Sequence, residues 1–310
     1  MKANRLVWLV LFLMLDVVAA QQTNSMSSVT NNETIADLRA KAESGDAQSQ
    51  YELGVAFDFG KLGVGKDYAE AAKWFRKAAE QNIAAAQDNL GQCYTVGEGV
   101  VQDYAEAAKW YRKAAEQNYV PAQYNLGVAY DNGLGVPNDD GEAIKWYRKA
   151  AEKNYVLAQF KLGQFYRNGR GVAKNEVEAV KWFQKAADRN FAKAESALGF
   201  CYINGVGVGR NLDQALKWYR KAAEQNDASA QYDLGLCYAN GEGVSKNYVE
   251  AFKWWTLAAG QNNADARKYL SVLIDSMSPE QIAEGQKLVH NFTPQKTPTV
   301  WVDHSGSTSP

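Results

Sequence analysis

Residues Tyr104–Asn118 read YAEAAKWYRKAAEQN, and the tryptophan in the middle decides the fold. Trp110 belongs to a series with Trp74, Trp146, Trp182, Trp218 and Trp254, spaced by 36 residues without a slip. A fixed period of this size marks stacked supersecondary repeats, each too small to bury its own apolar face. Within the stretch, Ala107, Ala108, Tyr111, Ala114 and Ala115 recur at helical spacing and form a buried stripe, while Lys109, Arg112 and Lys113 point to water. The alanines let helices stack closely, and the tryptophans fill the space that remains.

A second helix precedes this one in each repeat. AQYNLGVAY (Ala122–Tyr130) puts Ala122, Leu126, Ala129 and Tyr130 on one face, with Gly127 admitting a close neighbour, and it stops at Asn132-Gly133, where glycine supplies a left-handed cap. The tryptophan-bearing helix opens on a recurring pair: Asp67 with Glu70, Asp103 with Glu106, Asp139 with Glu142, Asn175 with Glu178, Asn211 with Gln214 and Asn247 with Glu250. An acceptor at the cap followed three residues later by Glu or Gln predicts a reciprocal capping box. This cap also removes a competing reading. Residues 60–67, GKLGVGKD, have Gly60, Gly65 and Lys66 at the spacing of a phosphate-binding loop. Asp67 fills the slot that would need Ser or Thr, and the related loops put Gln102, Asn138, Lys174, Arg210 and Lys246 in the lysine slot, so the match is accidental.

The chain of 310 residues opens MKANRLVWLVLFLMLDVVAA, with Lys2 and Arg5 ahead of an apolar run from Leu6 to Leu15. This reads as a secretory signal peptide cut near Ala20, which predicts a periplasmic or secreted protein without stable membrane insertion. Its removal takes away Lys2, Arg5 and Asp16, so the formal charge moves from −1 to −2. Near-neutral balance argues against nucleic acid as a partner, and basic rows such as Lys217, Arg220 and Lys221 read as solvated ridges. Cys93, Cys201 and Cys237 each fall two residues after the glycine of an L-G pair, the place of a small buried hydrophobe. His290 and His304 lack a partner at metal spacing, and no G-x-S-x-G, H-E-x-x-H or Cys–His constellation occurs. No catalytic residue, cofactor or metal site is assigned.

The expected organisation is a signal peptide at 1–20, a disordered linker at 21–33 and a capping helix at 34–46. Repeats follow over 47–275, then a capping helix over 276–292 opened by Ser278-Pro279-Glu280-Gln281, and a disordered tail at 293–310.

With A-Q-x-x-L-G-x-x-Y-x-x-G-x-G-V followed by [DN]-x-x-E-A-x-K-W-[YF]-x-K-A-A, the chain resembles the Sel-1-like repeat family, a relative of tetratricopeptide repeats. That resemblance implies an all-α solenoid of antiparallel helix pairs in a right-handed superhelix, whose concave groove binds a protein or peptide. The first helices of the pairs would line the groove with the residues three before, one after and four after the L-G glycine. The candidates are Tyr51, Val55 and Asp58; Asp88, Gln92 and Thr95; Tyr124, Val128 and Asp131; Phe160, Gln164 and Arg167; Ser196, Phe200 and Ile203; Tyr232, Leu236 and Ala239. Acidic residues gather at the front and Arg167 with apolar residues at the back, a pattern suited to an extended peptide. A cell-wall (peptidoglycan) binder is the alternative if Tyr124, Phe160 and Tyr232 form an exposed strip. A β-lactamase-like hydrolase, which one branch of the family resembles, is disfavoured because S-x-x-K, S-D-N and K-T-G are missing.

Overall fold

The structure, a computed structural model, describes residues 34–295, so the expected signal peptide, the linker and the tail from residue 296 lie outside the described residues. Among the described residues there are fifteen helices and no strand. They are α1 (Ile35–Glu43), α2 (Ala47–Phe59), α3 (Tyr68–Glu80), α4 (Ala84–Val96), α5 (Tyr104–Glu116), α6 (Val120–Asn132), α7 (Asp140–Glu152), α8 (Val156–Asn168), α9 (Glu176–Ala187), α10 (Ala192–Asn204), α11 (Leu212–Glu224), α12 (Ala228–Asn240), α13 (Tyr248–Gly260), α14 (Ala264–Ile274) and α15 (Pro279–His290). They divide into two compact units, and the division falls inside α8, after Ala158. In the first unit each helix from α1 to α7 packs on the next; in the second, the helices from α9 to α14 do the same and α15 folds back onto α13.

The two helices of a repeat are held by an aromatic ring seated on a glycine. A Cβ built on Gly54, Gly91 or Gly127 would lie 2.6, 2.7 or 2.7 Å from the ring of Phe75, Tyr111 or Tyr147. In the second unit the corresponding distances are 2.4, 2.5 and 2.4 Å for Gly163 on Phe183, Gly199 on Tyr219 and Gly235 on Trp255. The periodic tryptophans are buried as expected, from Trp74 at 3 % to Trp146 at 8 % exposed. Lysine ammonium groups close them over, with Lys77, Lys113, Lys149 and Lys185 at 4.0, 3.9, 4.0 and 4.0 Å from the rings of Trp74, Trp110, Trp146 and Trp182. Leu257 stands in the corresponding lysine slot of α13, and the Phe292 ring meets Trp254 edge-on at 5.7 Å. The chain then stays attached to Gln295, which donates from its backbone to the Glu224 carbonyl at 2.8 Å, two residues past the point where the tail was expected to begin.

The repeated cap differs from its expectation in one half. Asp67, Asp103, Asp139, Asn175, Asn211 and Asn247 accept from backbone N–H groups of the first turn. The return bond from the third helical residue is absent there, because the cap N–H donates instead to the preceding helix: Asp67 to the Phe57 carbonyl at 2.9 Å, Asp103 to Tyr94 at 2.9 Å, Asn211 to Tyr202 at 2.9 Å. Glu70, Glu106, Glu142 and Glu178 turn to the lysine one turn on. Full capping boxes occur at the two end helices, on Thr34 with Asp37 and on Ser278 with Gln281. The tryptophan-bearing helices end on asparagines in the left-handed conformation, Asn82, Asn118, Asn154, Asn190, Asn226 and Asn262, a stop signal the sequence reading passed over.

Within each unit a buried glutamine ladder joins neighbouring repeats. Gln50, Gln87, Gln123 and Gln231 donate to the carbonyls of Ala42, Ala79, Ala115 and Ala223, eight residues earlier, at 3.0, 3.1, 3.4 and 3.2 Å. Gln81, Gln117 and Gln261 donate in turn to Gln50, Gln87 and Gln231 at 2.8, 2.7 and 2.8 Å. One rung is a carboxylate. Glu195 is fully buried, takes a bond from Gln225 at 2.5 Å, and leaves Oε1 without a hydrogen-bond partner, 3.7 Å from the Lys221 ammonium. Burial raises its pKa, against Lys221 and Gln225 and with a contribution from Asp227.

Three outcomes follow from this packing. Gly127→Ala drives a methyl into the enclosed Tyr147 ring and lowers stability by about 1–3 kcal/mol in a denaturant melt. Trp146→Ala empties a large buried site and costs about 3–5 kcal/mol, read the same way. For Glu195 the folded pKa lies above the unfolded one, so its contribution is retained at acid pH and lost as pH rises out of the ordinary carboxylate range. Glu195→Gln therefore raises the melting temperature at pH 8, and the gain shrinks towards pH 4.

Candidate functional site

The positions expected to line a groove behave differently in the two units. In the first, Tyr51, Val55, Asp88, Thr95, Tyr124, Val128 and Asp131 are all less than 9 % exposed, while Asp58 and Gln92 are partly open. Their side chains are spent on neighbours. Tyr51 packs on Phe75 with centroids 6.1 Å apart, and Tyr124 lies between Tyr147 and Tyr155 at 5.6 and 5.2 Å. Asn125 and Gln92 donate to the Asp88 carboxylate at 2.9 and 2.8 Å, and the Tyr147 hydroxyl donates to Asp131 at 3.0 Å. Burial pushes Asp88 up to about 7 against those two bonds. Asp58 rises to about 6, first from burial and then from repulsion by Glu98, with Lys66 opposing. The buried Tyr124 does not supply the exposed aromatic strip on which the wall-binding alternative depends.

In the second unit the same positions are open. Phe160, Gln164, Arg167, Ser196, Ile203, Tyr232, Leu236 and Ala239 are partly exposed, and Phe200 is 42 % exposed. The Arg167 guanidinium sits 5.8 Å from the ring centres of both Phe183 and Phe200. Phe160 packs against Phe183 and Phe191 at 5.7 and 5.4 Å. Tyr232 meets Tyr269 at 5.8 Å, and Tyr269, on α14 and not among the expected residues, is 44 % exposed.

The residue just before the following first helix accounts for the openness of α10 and α12, while α8 is partly open even beside Phe191. Tyr155 covers Tyr124, and Phe191 covers Phe160. Ile83, Tyr119 and Phe191 are large and make no capping bond through the side chain. Asp227 and Asn263 are short and cap, accepting from Ala230 at 2.8 Å and Ala266 at 2.9 Å. A side chain that turns back to cap its own helix does not reach across to the neighbouring one, and the face beside it stays open. From sequence, the sign of this was Asp and Asn replacing Tyr and Phe at one repeated position.

Cys93, Cys201 and Cys237 are free and buried, and burial pushes their thiols up to about 12, 11 and 12, away from the thiolate a nucleophile needs. Among the described residues no group of three His, Cys, Asp or Glu side chains is placed to hold a metal ion, and no helix is long and apolar enough to cross a membrane.

Six consecutive segments, residues 47–83, 84–119, 120–155, 156–191, 192–227 and 228–263, match the Sel1 repeat. The crystal structure of c5321, described as a protective antigen present in uropathogenic Escherichia coli strains and displaying an SLR fold, superposes with a TM-score of 0.75 at 38 % identity. That match covers 84 % of this chain and 56 % of the antigen, so this chain spans just over half of its length. A Sel1 repeat protein from Oxalobacter formigenes superposes with a TM-score of 0.68 at 32 % identity, covering 76 % of this chain and 95 % of that one. Among curated proteins, HRD3A of Arabidopsis thaliana, an ERAD-associated E3 ubiquitin-protein ligase component, is 32 % identical over 62 residues, which is 20 % of this chain and 9 % of the plant protein.

Proposed function

Because the chain belongs to the Sel1 repeat family, we propose that it is an exported, non-catalytic scaffold that binds a protein partner through α8, α10 and α12. The observation that carries this reading is Phe200, a phenylalanine 42 % exposed on α10 beside Arg167, with Phe160, Tyr232 and Leu236 partly open on α8 and α12. A large aromatic kept in water next to a cation has the composition of a recognition hot spot. The matching face of the first unit is consumed by internal packing and serves as frame. Export is supported by Lys2 and Arg5 before the Leu6–Leu15 apolar run. The raised thiols and the missing serine-hydrolase motifs favour binding over turnover.

A photo-crosslinking amino acid in place of Phe200 tests this directly, with one in place of Lys109 on α5 as the control. In an extract of the native host, the Phe200 site yields a discrete crosslinked protein and the Lys109 site does not. Identical band patterns at both sites, or none at either, would overturn the reading. Recovery of the wild-type chain with the cytoplasmic fraction would overturn export separately.

A further inference from the structure

We infer that the partner offers this face an extended segment in which a carboxylate is flanked by apolar side chains, an inference that rests on the binding face proposed above. Its centre is Arg167. The guanidinium is held between the Phe183 and Phe200 rings at 5.8 Å from each, partly exposed, and among the described residues no carboxylate forms an ion pair with it. Contacts to two ring faces leave the N–H donors of the guanidinium free for an acceptor, which suits recognition of a carboxylate.

Carboxylates on the neighbouring helices are engaged elsewhere. Glu176 pairs with Lys174 at 2.7 Å, Asp227 caps α12 through Ala230, and Glu195 lies inside the glutamine ladder with Gln225 and Lys221. The charge at Arg167 is therefore unanswered from within the unit. On either side the surface is apolar: Phe160 on α8, Phe200 and Ile203 on α10, Leu236 on α12. Arg167 joins α8 to α10 through Phe200, α10 packs on α12, and Tyr232 joins α12 to α14 through Tyr269. A basic segment meets repulsion at Arg167, and a wholly apolar one leaves the guanidinium without its hydrogen bonds. An acidic residue between apolar ones satisfies both.

The test is selection of a random nonapeptide display library on the whole mature chain, with wild type and Arg167→Glu run in parallel. A synthetic peptide of residues 296–310, KTPTVWVDHSGSTSP, serves as a separate probe. The expected result is enrichment of Asp or Glu next to Leu, Ile, Phe or Trp on wild type, with acidic enrichment lost on Arg167→Glu. Selected peptides weaken at least tenfold on Arg167→Gln and on Phe200→Ser, two exposed changes that leave the helical melt in place. If one variant fails to fold, the other still decides. Enrichment without acidic residues, or equal affinity for Arg167→Gln, overturns the inference even where crosslinking at Phe200 succeeds. Binding confined to the 296–310 peptide assigns the face to this chain itself and overturns it as well.

Discussion

Everything in the repeat depends on a ring having no side chain beneath it. The glycine of each L-G pair brings the two helices of a hairpin close enough for Phe75, Tyr111, Tyr147, Phe183, Tyr219 or Trp255 to lie on bare backbone. Glycine inside a helix costs about 1 kcal/mol relative to alanine, and burying an aromatic ring on it returns more than that. The close approach also sets the register. Once the hairpin is fixed, the glutamine of the next repeat falls on the last turn of the preceding helix, and Gly135 comes so near the Tyr104 carbonyl that a Cβ would stand 1.9 Å away. Gly135 has φ +71°, so its loop needs glycine on two counts.

A repeat that spends its alanines, tryptophan and ring on stacking keeps few positions for other work. Those left are on the first helix, and a single neighbour decides whether they are covered. Tyr155 and Phe191 reach across the junction; Asp227 and Asn263 turn back to cap. On α10 and α12 a change at one residue per repeat leaves the face open while the ring-on-glycine frame stays as it is. This economy suits a scaffold, in which the frame and the recognising surface must vary independently.

Helix order, the buried stripe, the glycine stops and the cap residues were legible because each is written every 36 residues, so six copies vouch for one another. What was not legible depends on contacts between repeats. The same inward positions read alike in both units, yet Asp88 and Asp131 are buried beneath Asn125 and Tyr147 while Phe200 is open. The reciprocal capping box failed for a related reason: local spacing predicted it, but the loop N–H was taken by a carbonyl of the preceding helix. Glu195 differs from glutamine by one atom, and only the ladder around it shows that the atom is a missing donor.

The hydroxyl on the ring explains where charge survives on these faces. Tyr111 shares a hydrogen bond with Thr95 and Tyr147 donates to Asp131, so each of these hydroxyls ties up a polar side chain of the first helix in its own repeat. Phe75 and Phe183 have no hydroxyl to offer. In those two repeats the residue four after the glycine is Asp58 or Arg167, both charged and both partly exposed. Losing one oxygen on the buried side of a hairpin frees one ionic group on its open side. In these two repeats the charge on the first helix follows the ring one layer below it.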